Sequence, residues 1–172
     1  LHLRAVEIVP ENLDVLYGLA DDYSVRVSPK KEIEVLEKIL GLDQKSPRIL
    51  CRMREIYLKS EDWISAVDAQ RKVVVRTEGK GKKEKEKEML GQYIYKNGSR
   101  HFNNDNFDLA IKEFKRALRE NGRCLPAHLL LGDAYLKTGD KRGALRAWKK
   151  GYANTKSTTC MMRMEKVYRD LD

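Results

Sequence analysis

The chain repeats one pattern of apolar and small residues at a spacing close to 34 residues. The segment Ala110–Leu118 matches the segment Ala144–Tyr152, which lies 34 residues later. The same form occurs at Ala66–Val74, 44 residues before the first segment, and at Glu32–Leu40, a further 34 residues back. Each copy follows another apolar-periodic segment. A unit this short cannot bury its apolar face alone, so stacked copies must supply the core.

Both elements of the unit are predicted to be helices. The four prolines, at positions 10, 29, 47 and 126, all lie between apolar-periodic segments, where helices begin or end. No stretch combines period-two alternation with an Asn-Gly or Asp-Gly turn. The ten extra residues fall at Gly79–Glu88, which is charged apart from two glycines. The glycines are expected to end the preceding helix, and the Lys and Glu residues to start the next.

One unit is especially clear, because Leu131, Gly132 and Tyr135 are followed by a turn at Thr138–Asp140. With Ala-x3-aromatic on the second helix and a closing proline, this unit resembles the tetratricopeptide repeat. The resemblance implies an all-α, right-handed superhelical stack of helix-turn-helix repeats, an α-solenoid. It divides the chain as follows: 1–12, the end of a preceding repeat; 13–46; 47–90, with a charged insertion near 77–88; 91–124; 125–157; and 158–172, the first helix of a further repeat or a capping helix.

Small residues in the repeat predict close approach of its two helices. Gly98 and Gly132 are expected to face the small residues Ala110 and Ala144 on the second helix, while large residues fill the space between neighbouring repeats. In the first two repeats, other residues take these positions, and looser or shifted packing is expected there; they are Glu32, Arg54 and, at the aromatic position, Gln70.

Catalytic and metal-binding motifs are missing from the sequence. It has no GxSxG, HExxH, P-loop or GxGxxG motif with a suitable acidic residue. The three histidines have no Cys or His at ligand spacing, and packed structural roles are expected for them. Three cysteines, far apart and odd in number, argue against a disulfide framework. We therefore predict a protein that is not an enzyme and needs no cofactor or metal.

The resemblance implies a concave groove lined by the first helix of each repeat. Aromatic anchors beside polar groups suit a protein or peptide partner. Arg48 and Arg52 match one basic pair of the family's carboxylate clamp for chaperone C-termini, but its Lys/Asn pair is missing, which implies a different partner. The predicted groove residues are Tyr17, Asp21, Arg48, Glu55, Gln92, Tyr95, Ser99, Phe102, Asn103, Asp133 and Lys137.

A finer resemblance covers about residues 46–152. The pairs Ile56-Tyr57 and Asp62-Trp63, followed by the charged insertion and Asp105-x2-Asp108, look like the repeat region of bacterial lipopolysaccharide assembly proteins. This implies an adaptor in regulation of lipopolysaccharide synthesis, located in the cytoplasm, at the inner membrane through a segment absent from this chain. The alternative is a recruitment module of a larger enzyme, such as a glycosyltransferase or protease complex. Self-association through truncated ends is a further expectation.

The chain carries 35 Lys and Arg against 26 Asp and Glu, a net charge of +9. A basic stretch around Arg142 and Arg146 can be the solvated face of a second helix, or a patch for anionic membrane or nucleic acid. Because no aromatic residues are interleaved with it, DNA or RNA binding is not expected. An anionic-polymer binder is the least favoured alternative. No apolar run reaches the ~18 residues of a membrane span.

Overall fold

The computed structural model describes residues 2–44 and 46–169. Leu1, Lys45 and the last three residues of the predicted segment 158–172 lie outside the described part. Within it there are ten helices and no strand, which confirms the all-α helical-repeat fold. The helices are α1 His2–Ile8, α2 Leu13–Val25, α3 Pro29–Leu42, α4 Pro47–Lys59, α5 Trp63–Arg76, α6 Lys80–Asn103, α7 Phe107–Glu120, α8 Leu125–Lys137, α9 Lys141–Thr155 and α10 Thr158–Arg169.

Local sequence explains where these helices begin. The carboxylate of Asp62 accepts from the backbone N–H of Ser65 at 3.1 Å. Asp140 does the same for Gly143 at 2.7 Å. Each acid satisfies a donor that has no partner inside the first turn. Pro29 and Pro47 are the first residues of α3 and α4, where a missing N–H costs nothing.

One backbone conformation recurs in the turn inside each helix pair. The second residue after α2, α4, α6 and α8 has a positive φ, between 52° and 84°. This left-handed conformation suits glycine, yet glycine occupies it only once among these four turns. The four residues are Val27, Glu61, Asp105 and Gly139.

Two compact units make up the chain, Leu1–Glu78 and Gly79–Asp172. In the first unit, α2 packs with α3 and α4 with α5. Its core contains the buried residues Leu16, Leu19, Ala20, Val35, Leu36, Ile39, Ile49 and Met53.

In the second unit, α6 packs with α7 and α8 with α9, and α10 packs on α9. Two buried aromatic side chains dominate the core of this unit, Phe114 and Trp148. Around them lie Ala110, Leu131, Ala134, Ala144, Ala147, Cys160 and Val167.

The small residues of the first helices lie against large aromatic side chains rather than against small ones. A Cβ atom added to Gly98 would lie 2.9 Å from the ring of Phe114, and one added to Gly132 would overlap the indole of Trp148. The expectation that these glycines face Ala110 and Ala144 is therefore corrected. Each glycine makes room for the aromatic residue sixteen positions later.

In the second repeat, polar side chains occupy the positions of the glycine and the aromatic residue. Arg54 and Gln70 are also sixteen residues apart, and Arg54 Nη1 donates to Gln70 Oε1 at 2.7 Å. Gln70 is fully buried. A hydrogen bond thus replaces the glycine–aromatic contact where looser packing was expected.

The charged segment begins α6. Helix α5 ends at Arg76, Gly79 has a φ of 86°, and α6 begins at Lys80, which confirms the expected interruption and restart. The segment's Lys and Glu residues form the first turns of one continuous helix, so the predicted boundary between residues 90 and 91 falls within α6.

Candidate partner-binding faces

Three of the predicted groove residues meet in one pocket of the first unit. Tyr17 and Asp21, one turn apart on α2, line it together with Arg48 on α4. The pocket has a volume of about 290 Å³, and its remaining walls are Ile49 and Arg52. A half-buried aromatic ring beside an exposed guanidinium is an arrangement that suits a carboxylate next to an apolar group.

Arg52 holds the walls of this pocket in place. Its Nη1 donates to Asp21 Oδ1 at 2.6 Å, and its Nε donates to Glu32 Oε1 at 2.7 Å. Burial disfavours the charge of Arg52, but the hydrogen bonds to both carboxylates outweigh burial and raise its pKa. Glu32 is only 5% exposed, and Arg52 is the partner of this buried carboxylate. The carboxylate of Asp21 is thus already paired with Arg52 within the protein.

Glu55 lies in a second pocket, on the other side of Arg52. This pocket has a volume of about 470 Å³ and lies between the α2–α3 turn and α4. Val27, Pro29 and Ile56 supply its apolar wall, and Glu32, Arg52, Glu55 and Lys59 its charged wall. Because Arg52 lines both pockets, the two form neighbouring compartments of one face of the first unit.

The two predicted aromatic anchors of the second unit are half-buried members of its core. The ring of Tyr95 lies 6.0 Å from that of Phe114, centroid to centroid. Phe102 stacks edge-on to Phe107 at 5.4 Å and lies 6.5 Å from Phe114. Aromatic pairs at such distances contribute to packing. Tyr95 and Phe102 therefore stabilise the unit, and only their outer edges remain for a partner.

The other predicted residues of the second unit divide into occupied and exposed groups. Ser99 Oγ donates to the carbonyl of Tyr95, at 3.0 Å, within its own helix. Asp133 on α8 forms an ion pair with Arg163 on α10. The remaining three side chains are exposed, namely Gln92, Asn103 and Lys137.

The two acid–arginine pairs occupy equivalent positions. Asp21 and Asp133 are the ninth residues of α2 and α8, and their partners Arg52 and Arg163 are the sixth residues of α4 and α10. The sequence could have predicted these pairs. In both, an aspartate at the ninth position of one first helix is followed by an arginine at the sixth position of the next first helix. This pattern marks a link between helices rather than a ligand contact.

One histidine and two cysteines are buried, namely His128, Cys124 and Cys160. His128 is fully buried, its Nε2 lies 3.0 Å from the carbonyl oxygen of Gly122, and burial lowers its pKa. Cys124 and Cys160 are buried free thiols whose pKa values burial raises. Across residues 2–44 and 46–169, no cluster of three or more His, Cys, Asp or Glu residues is arranged to hold a metal ion. None of the helices in these ranges has both the length and the apolar character needed to cross a bilayer.

The chain is similar to known proteins in fold and, within the second unit, in sequence. Three solved structures are similar in fold to the chain. MamA is 20% identical, with 89% of this chain and 84% of that chain covered and a TM-score of 0.47. YrrB, described as a TPR protein with an unusual peptide-binding site, is 14% identical, with coverages of 96% and 97% and a TM-score of 0.42. PilF of Pseudomonas aeruginosa is 18% identical, with coverages of 99% and 75% and a TM-score of 0.48.

No curated protein sequence matches the chain significantly. One family model does match, the one described as tetratricopeptide repeat, and it covers residues 95–155. Those residues run from within α6 to the end of α9, and so contain two consecutive helix pairs. Over residues 95–155 the chain is therefore similar to tetratricopeptide repeat proteins.

Proposed function

We propose that the protein is a non-catalytic scaffold that binds a protein or peptide partner on the faces formed by its first helices, α2, α4, α6 and α8. The observation that carries the proposal is the pocket of Tyr17 and Arg48. Its walls are held by the ion pairs of Arg52 before any partner arrives. Preorganised side chains lower the entropic cost of binding.

The exposed cation of this pocket points to the chemistry of the partner. Among the described residues Arg48 makes no ion pair, whereas Arg52 beside it makes two. Arginine and tyrosine are both enriched among the residues that dominate binding energy at protein interfaces. We therefore expect a peptide that presents a carboxylate to Arg48 and an apolar side chain to Tyr17.

A selection from a random peptide library, followed by calorimetric titration, tests this proposal. The Arg48→Ala variant is expected to weaken the selected peptide about tenfold or more, a loss of ~1.4 kcal/mol. Arg71→Ala is the matched control, because Arg71 is an exposed arginine on a second helix, α5. Its affinity is expected to stay within about twofold of the parent. Equal affinities for all three proteins would remove the first-helix face from the proposal.

Finer assignments rest on the sequence resemblance alone. An adaptor role in lipopolysaccharide synthesis, with the parent protein at the inner membrane, is proposed on the residue pairs quoted above. A recruitment module of a glycosyltransferase or protease complex is the alternative. The coding sequence on either side of this chain separates them: a membrane span before it and paired CxxC motifs after it favour the adaptor, and a following α/β domain favours the enzyme module.

Self-association is proposed from α10, where Met161 and Met162 are exposed. Exposed methionines make adaptable contact surfaces. Sedimentation velocity of the chain and of a Met161→Ser/Met162→Ser variant tests it. The mass of a monomer at every protein concentration in the unsubstituted chain would remove this proposal.

A further inference from the structure

A cationic pocket lies between the second helices α7 and α9, along one side of the first helix α8. It has a volume of about 350 Å³ and is formed by α7, α8 and α9. Lys115 and Arg119 contribute from α7, and Arg146 and Lys150 contribute from α9. Each pair is four residues apart, so both of its members lie on the same side of their helix. No carboxylate is among the residues that line the pocket.

These four cations are poorly compensated by the protein itself. The ion pair of Arg146 is with Asp140, at a distance of 3.9 Å, and Arg146 remains 76% exposed. Asp140 is also engaged in capping α9 through the N–H of Gly143. Lys115 Nζ lies over the ring of Tyr135, 5.3 Å from its centroid, a contact that keeps its charge at the rim.

Apart from the buried imidazole of His128, the floor of the pocket is apolar. Leu118 and Leu131 line it, with Ala147 between the two cations of α9. Leu131 and Ala147 belong to the core of the unit and are each 6% exposed. The bottom is therefore formed by rigid, closely packed residues, while the charges stand at the edge.

We propose that this pocket binds an acidic peptide segment that carries an apolar side chain. The apolar side chain enters the floor between α7 and α9, and the flanking carboxylates meet the four cations at the rim. Charge complementarity of this kind sets specificity and association rate, while the buried apolar group supplies affinity. None of the predicted groove residues lines this pocket, so either proposal can fail without the other.

Shape and aromatic content favour a peptide over the other polyanions. A concavity of about 350 Å³ accommodates a side chain, whereas a bilayer surface engages a protruding basic face. Single-stranded nucleic acid needs exposed aromatic rings for base stacking. Two aromatic rings line the pocket: the ring of His128 is fully buried, and the ring of Tyr135 already lies beneath Lys115.

Fluorescence anisotropy on the full chain tests the proposal, with a fluorescein-labelled peptide Glu-Asp-Leu-Asp-Glu at low salt as the probe. The Lys115→Glu/Arg146→Glu variant is expected to weaken binding about tenfold or more, since two attractive charges become repulsive. The Lys112→Glu/Lys149→Glu variant is the matched control. It changes the net charge equally on the same two helices, at exposed residues outside the pocket. It is expected to weaken binding clearly less than the pocket variant does, through long-range electrostatics alone.

A second peptide, in which serine replaces leucine, tests the apolar floor and is expected to bind several-fold more weakly. Circular dichroism confirms folding of each variant, and Lys115→Gln/Arg146→Gln replaces the charge reversal if that variant unfolds. Four results would overturn the proposal: no binding of the leucine peptide, equal losses in the pocket and control variants, equal affinity for the two peptides, or tighter pocket-dependent binding of a single-stranded oligonucleotide or phosphatidylserine vesicles.

Discussion

Val27 adopts a backbone conformation that its side chain opposes. Its φ of 52° lies in the left-handed region, where a β-branched residue is rare. The same turn position holds Gly139 in the fourth repeat. The Val27 side chain is 84% exposed, so little burial offsets the strain. The strain is imposed by the repeat geometry, because the turn must close the helix pair in the same way each time.

Replacing Val27 with asparagine, which tolerates the left-handed region, is expected to raise the free energy of unfolding by about 1 kcal/mol. Urea denaturation measures the change. Val25→Asn is the matched control: Val25 is 83% exposed but lies within α2, and its replacement should change stability by less than about 0.5 kcal/mol. A Val27→Asn protein that is no more stable than the parent would contradict the assigned strain.

His128 is a residue whose burial links folding to pH. Burial lowers its pKa below the unfolded-state value of 6.5. As the pH falls below about 6.5, the unfolded chain binds a proton that the folded chain resists. Stability is therefore complete above that pH and is lost progressively as the pH falls toward the folded-state pKa.

The His128→Gln variant tests this linkage, since an amide can still donate to Gly122 and does not titrate. Urea unfolding of both proteins between pH 7.5 and pH 5 is the measurement. As the pH falls, the free energy of unfolding of the parent is expected to decrease more than that of the variant. If this difference stays constant across the range, His128 does not carry the linkage.

At the scale of helices, the contact sixteen residues apart decides how each pair closes. Gly132 admits Trp148, which is 1% exposed and whose Nε1 donates to the carbonyl of Leu129 at 3.1 Å. A methyl group at Gly132 would overlap that indole. The helices of this pair can approach closely only while the glycine is present.

Gly132→Ala is accordingly expected to destabilise the chain by about 1–3 kcal/mol through overpacking. Gly81→Ala is its control, because Gly81 lies near the start of α6 with nothing within 4 Å of the added methyl group. There alanine should stabilise by up to about 1 kcal/mol, since glycine weakens a helix. Thermal unfolding of both variants gives the comparison, and a Gly132→Ala protein as stable as the parent would contradict the packing described.

Periodicity, the prolines and the glycines of the charged segment were enough to predict the helices, because these features act within a few residues. Proline at the start of α3 and α4, and Gly79 before α6, place helix ends directly. The partner of Gly132 was mispredicted because small residues in a repeat indicate close approach without identifying the neighbour. Arg54 and Gln70 each depart from the repeat pattern. Their hydrogen bond could not be predicted from these departures, because it forms only when the two helices pack together.

At the scale of the whole molecule, the chain forms two compact units, and each presents its own first-helix face. The repeat register predicted that Tyr17, Asp21 and Arg48 share one surface, which the structure brings together. It could not predict that Asp21 and Asp133 are occupied by arginines of the following helix. The repeat register did not predict the cationic pocket. Its basic residues come from two helices about one repeat apart along the chain, Lys115 and Arg119 on α7 and Arg146 and Lys150 on α9.

Hydrogen–deuterium exchange with a library-selected peptide bound shows whether a partner binds at the first helices. The peptide is selected on the Lys115→Glu/Arg146→Glu variant, so that the cationic pocket does not compete for peptides. Binding protects the amides it orders or covers. The account predicts added protection in first helices, in α2 and α4 or in α6 and α8. Protection confined to the second helices, α3, α5, α7 and α9, would contradict it.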